Sequence, residues 1–278
     1  DPVAKMTEDP KFEIAVDKKI VVDNQTGYRV AIYAPKAWDG TLDVYLPGDT
    51  YTLERAVDSK HLREKFIAKG QSGKMCALAV VEGSRGHIHA EKEHRYDELK
   101  RPGSLGSILG SIGNTIGGEV ISVNFMGHSR GGSALNNILQ SGSDANKITT
   151  ISCLDSTYFS AEPLIAFANR GGQLNVAFKP GSKTEPKARR IISALKLTKT
   201  SSDHWTSADG KVNVYETNLN HSAIADKYAG VFMGSEHHGA RDPSFVPSQS
   251  DTSYAYNNPE VEASPPGKLH GVVVEKLT

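Results

Sequence analysis

Six residues, Gly127-His128-Ser129-Arg130-Gly131-Gly132, set one hydroxyl among three glycines in a G-x-S-x-G pattern. A serine Oγ attacks carbonyl carbon poorly at neutral pH. It needs a turn that thrusts it clear of the backbone, a base within hydrogen-bond reach and a third group to orient that base. The glycines answer the first need, because a chain reversing this sharply leaves its neighbours no room for side chains. The pattern points to acyl chemistry through a covalent intermediate on Ser129.

A turn of this kind works only between a strand that holds it rigidly and a helix that leads away. The run Val120-Ile121-Ser122-Val123-Asn124-Phe125-Met126 reads as the buried strand, and Ser133 to Gln140 as the helix. Upstream, Glu13 to Val22 and Tyr28 to Tyr33 are β-rich runs parted by the turn Asp23-Asn24-Gln25-Thr26-Gly27, an antiparallel opening. Then strands and helices alternate. Asp43 to Leu46 is a strand, Leu53 to Lys69 one helix, Met75 to Val81 a strand and Leu105 to Ile116 a Gly-rich helix. Past the serine come strand 148–154, helix 161–169, strand 174–178, helix 185–197 and strand 212–215. Strands apolar on both faces and separated by helices give an α/β fold, a mostly parallel sheet of about eight strands covered on both sides.

This order of elements, with the serine after the fifth strand, resembles the α/β-hydrolase fold over roughly residues 12 to 230. The resemblance implies the chain order serine, acid, histidine, with the histidine in the loop after the last major strand. His221 of Asn218-Leu219-Asn220-His221-Ser222 holds that place. In the commoner form of the fold the acid follows the strand 174–178, where Glu185 is the nearby carboxylate. A minority form puts it one strand earlier, and there Asp155 ends the strand 148–154. Asp155 is the expected acid, with Glu185, Asp203 and Asp209 as alternatives and a turn or helix-capping aspartate as its plainer reading. The resemblance also implies an oxyanion hole made by the Arg130 backbone N–H and a second donor from Pro47-Gly48-Asp49-Thr50, Asp49 or Thr50. Asp49 is unusual beside a developing oxyanion, so we expect it to cap the following helix, or to pair with Arg130 or a substrate amine. Gly48, His128 and Tyr158 are expected to border the substrate. The implied activity is hydrolysis of a carboxylic ester through an acyl-enzyme, with amide or peptide hydrolysis, acyl transfer, or a non-catalytic binding module of the same fold as alternatives.

Other signals are weaker. His87, His89 and His94 form an H-x-H pattern without acidic or cysteine partners, so no metal is expected. The glycines at 103, 106, 110 and 113 match no phosphate-binding motif; small residues at that spacing suit close packing of a helix on the sheet. Trp205 reads as packing. No cofactor is expected. The 32 basic and 32 acidic residues cancel, which suggests neither a nucleic-acid nor an anionic-membrane partner. No run of eighteen apolar residues would span a membrane. The expected partner is a small-molecule or polymer substrate with an acyl bond. Cys76 and Cys153 lie in apolar strands and read as core thiols. The chain starts at Asp1 with no initiator Met, compatible with a removed leader, so cytoplasm and secretion both stay open. Residues 1–234 read as the catalytic domain. Residues 235–278, rich in Pro and Ser with a final apolar run Leu269 to Val274, read as an irregular extension packed on it or edging its pocket.

Overall fold

The computed structural model describes residues 12–48, 51–84, 96–142 and 144–234. The expectations for Asp49, Thr50, the histidines at 87, 89 and 94, and the 235–278 extension lie outside these residues. The elements in chain order are β1 (Ile14–Val22), β2 (Arg29–Pro35), β3 (Thr41–Leu46), α1 (Leu53–Ser59), α2 (Leu62–Gln71), β4 (Ala77–Glu82), α3 (Ser104–Ile116), β5 (Ser122–His128), α4 (Gly131–Ser141), β6 (Ile148–Leu154), α5 (Glu162–Asn169), β7 (Gln173–Phe178), α6 (Glu185–Ala194), β8 (Thr198–Ser201), β9 (His204–Thr206), β10 (Val212–Glu216) and α7 (His221–Met233).

The strands form one sheet in the order β1-β2-β4-β3-β5-β6-β7-β10-β9-β8. From β4 to β10 the strands run parallel, while β1 and β2 at one edge and β9 and β8 at the other are antiparallel additions. The centre is parallel because its strands are apolar on both faces; every residue of β4, Ala-Leu-Ala-Val-Val-Glu, is buried. Alternation then divides the core in two. Val44, Ala79, Phe125, Ile151 and Val176 face α3, α4, α5 and α6. Their neighbours Tyr45, Leu78, Val80, Met126 and Leu154 face α1, α2 and α7.

Three elements differ from the sequence reading. The expected single helix over 53–69 is two, because His61 takes a left-handed backbone (φ 48°) and turns the chain between α1 and α2. The β8–β9 hairpin takes the sheet to ten strands; β8, Thr-Lys-Thr-Ser, is exposed along its length and has no apolar pattern to announce it. His221 opens the helix α7 instead of lying in a loop. The tightly packed glycines of α3 also meet other partners than the sheet: a Cβ on Gly106 would press on the Asp144 carboxylate at 2.8 Å, and one on Gly113 on the Gly118 carbonyl at 2.5 Å. Both cysteines are buried and unbridged, as expected, and burial pushes each thiol up to about 12. No described helix is long and apolar enough to cross a membrane.

The strand register decides where chemistry gathers. Leu46 pairs with Gly127 and His128 with Leu154, so the ends of β3, β5 and β6 are level and deliver Gly48, Ser129 and Asp155 to one sheet edge. Ligands of open α/β sheets bind at that carboxyl edge.

Candidate active site

Ser129 sits at φ 53°, a left-handed conformation that costs a side-chain-bearing residue roughly 1–3 kcal/mol and that the surroundings must enforce. The neighbouring glycines explain how. A Cβ on Gly131 would overlap the Leu46 carbonyl, and one on Gly132 the Ser156 carbonyl, so α4 starts pressed against β3 and against the chain after β6. Gly132 N donates to the Ser129 carbonyl at 3.0 Å and closes the turn. On the other side, a Cβ on Gly48 would stand 2.8 Å from Ser129 Cβ and 3.3 Å from its Oγ, so only glycine lets this loop approach the hydroxyl. Ser129 Oγ itself makes no hydrogen bond within the described residues. Arg130, the expected oxyanion donor, is the cap residue of α4 directly after the serine.

Asp155 leaves β6 with φ 46°, its N–H donating to the Ala177 carbonyl at 2.8 Å. It is 3% exposed and caps no helix. One carboxylate oxygen accepts from His221 Nδ1 at 2.7 Å, and the other takes a short hydrogen bond from Thr184 Oγ1. With Nδ1 donating, the lone pair of the neutral ring is on Nε2, the nitrogen a base would use. The rival carboxylates are occupied at the surface: Glu185 by Gly181 N and Arg189, Asp203 by Ser201 and Asp209 by Ser207.

His221 gains its place from α7. Asn220 caps that helix through Oδ1 to Ala223 N at 2.8 Å, which fixes His221 as the first helical residue. His128, expected beside the substrate, is 1% exposed and lies against His221, ring centres 4.6 Å apart. Its Nε2 donates to the His221 carbonyl at 3.3 Å, its Nδ1 is buried without a partner, and the Tyr51 ring meets it edge-on at 5.9 Å. Burial above all, then the neighbouring His221 and Lys60, holds His128 well below the usual histidine range, so the ring is neutral. Tyr158 is 37% exposed and, with Phe159, Glu162, Lys187 and Arg190, lines an open surface concavity of about 510 Å³. The cap of α1 is Thr52, whose Oγ1 accepts from Arg55 N at 3.2 Å.

The sequence reading missed Thr184, Tyr51, Lys60 and Ser222. Thr184 was legible as the residue before a Glu-Pro helix start, yet its hydroxyl turns to Asp155 and makes no capping bond. Among the described residues no group of three His, Cys, Asp or Glu is arranged to hold a metal ion.

No protein-family model matches the chain, and no curated protein sequence does. Solved structures do. An S-formylglutathione hydrolase from Staphylococcus aureus superposes with a TM-score of 0.56 at 11% identity, covering 81% of this chain and 97% of its own. A ferulic acid esterase gives 0.54 at 12%, covering 80% and 98%. A predicted CIB-like hydrolase from Thermoplasma acidophilum gives 0.51 at 12%, covering 79% and 95%. At such identities the likeness speaks for architecture alone, and it agrees with the parallel sheet and its antiparallel N-terminal edge. The chain has the α/β-hydrolase fold.

Proposed function

We propose that the protein is a serine hydrolase that cleaves a carboxylic ester through an acyl-enzyme on Ser129. The observation that carries this reading is the Asp155–His221 hydrogen bond, formed at the sheet edge where the strained serine turn also ends. In the proposed cycle His221 Nε2 takes the Ser129 proton as Oγ attacks the acyl carbon. Asp155 holds the ring in the productive tautomer and stabilises the imidazolium, and His221 then returns the proton to the leaving alcohol. Water, activated by the same base, frees the acid. The Arg130 N–H and a donor from the 48–50 loop would hold the oxyanion, with Gly48 leaving room for it. An ester is favoured over an amide because two structural neighbours are named for acyl–oxygen and acyl–sulfur cleavage, a ferulic acid esterase and an S-formylglutathione hydrolase.

The test is labelling of the intact protein with a fluorophosphonate, read by mass spectrometry, together with hydrolysis of short p-nitrophenyl esters. One adduct on Ser129, absent from Ser129→Ala and slowed at least about a thousandfold in His221→Ala, is the expected result. A folded protein that takes no adduct and turns over no ester would overturn the reading.

A further inference from the structure

Lys60 is 2% exposed, at the joint between α1 and α2, and among the described residues no carboxylate pairs with it. Its ammonium donates to the Ser222 carbonyl at 3.3 Å and, through a short contact, to Ser222 Oγ. It also lies 5.0 Å from the centre of the Tyr51 ring, whose hydroxyl meets the same Ser222 Oγ at 3.2 Å. Asp226 of α7, the acid facing this joint, pairs with Lys65 at 2.6 Å, and Lys65 in turn donates to the Lys60 carbonyl at 2.6 Å. A buried ammonium held by neutral groups alone burdens the fold. Its position suggests what it is for. Ser222 follows His221, and the two consecutive carbonyls of this first helical turn are gripped by buried donors from elsewhere, His221 O by His128 and Ser222 O by Lys60.

We infer that Lys60 is a positioning residue for His221, clamping the first turn of α7 from the α1–α2 joint. This rests on the proposed role of His221 as base. Asp155 from the end of β6 and His128 from the end of β5 meet that ring, while Lys60 and Tyr51 meet the next residue, Ser222, with Arg55 over the Tyr51 ring and Lys65 and Asp226 paired to each other beyond. A base held by one carboxylate keeps its aim only if its backbone is fixed, and the grip on two successive carbonyls fixes it.

The experiment uses Lys60→Met, which keeps the stem and removes the charge, and Lys60→Arg, which keeps the charge. The rate of fluorophosphonate labelling at Ser129 is followed at pH 7, the His221 Nδ1–H resonance is read by NMR, and thermal melting is recorded alongside. Without the clamp the resonance of the Met variant is expected to move or broaden as the bond to Asp155 loosens. Its labelling should fall several-fold and its melting midpoint should equal or exceed that of the wild type. The Arg variant should keep the wild-type resonance and rate. A Met variant with an unchanged resonance, or with a lowered midpoint or no fold, would show Lys60 to be a structural lysine and overturn the inference, as would an Arg variant displaced as far as the Met variant. If wild-type Ser129 does not label, the hydrolase reading fails while this resonance still decides the case for Lys60.

Discussion

His128 carries a single burden that its type would not suggest, a ring nitrogen buried with no hydrogen-bond partner. Its pKa in the fold lies well below the unfolded value, so between those two values the unfolded chain binds a proton that the native state refuses. Stability therefore rises with pH across that window and is lost as pH falls below about 6.5, at up to about 1.4 kcal/mol for each pH unit from this one group. Urea unfolding at pH 7.5, 6 and 5 should show this decline, and it should be shallower in His128→Gln, which keeps a donor for the His221 carbonyl without a titrating ring. Parallel slopes in the two proteins would count against the account. At this scale the sequence was most legible where a motif fixes spacing. Ser129 and its glycines could be picked out because backbone crowding dictates residue types locally, whereas Thr184 and Lys60 act across 29 and 162 residues of chain, on Asp155 and Ser222, and leave no local mark.

Among the elements, α7 matters most to the site and was the least expected. Its amphipathic signal is blurred, since Ile224, Ala225, Tyr228, Ala229, Gly230 and Met233 bury small and large residues together, and its start is marked by a single asparagine. Because that asparagine fixes the residue that bonds Asp155, structure and the proposed activity should be coupled there. Asn220→Ala should lose about 1 kcal/mol of stability by urea unfolding, and Ser129 labelling should slow further than that loss explains, since the His221 backbone frays with the first turn. Full labelling speed in a destabilised variant would uncouple the two. The break between α1 and α2 is a similar case. The weak helix formers Val57, Asp58, Ser59 and His61 lie at the break, and the left-handed His61 splits the chain there and leaves Lys60 reaching α7.

For the molecule as a whole, stability and site are held in different places. Toward the start of the strands whose ends carry the serine turn, Lys69 and Asp43 form an ion pair at 2.6 Å, both nearly unexposed, extended by Asn124 to Asp43 at 2.9 Å and by the Cys76 thiol at 3.3 Å from Lys69. Burial depresses the Lys69 ammonium most, and the charges and hydrogen bonds of Asp43 and Cys76 together outweigh it and raise its pKa. Asp43→Ala strands that ammonium and should cost about 3–5 kcal/mol, partly recovered by adding Lys69→Met, while the folded protein should label at Ser129 at the wild-type rate. A labelling defect matching the stability loss would mean that the network reaches the site. The amino-acid sequence by itself determined the α/β class, the parallel core and the serine turn, because strand patterning and a glycine-packed reversal are local constraints written in adjacent residues. Only the tertiary structure decided that Asp155, of four carboxylates, bonds His221, and that His128 lies beneath that ring. Those choices depend on register between strands and on where α7 docks, which are set by packing between segments distant in the chain.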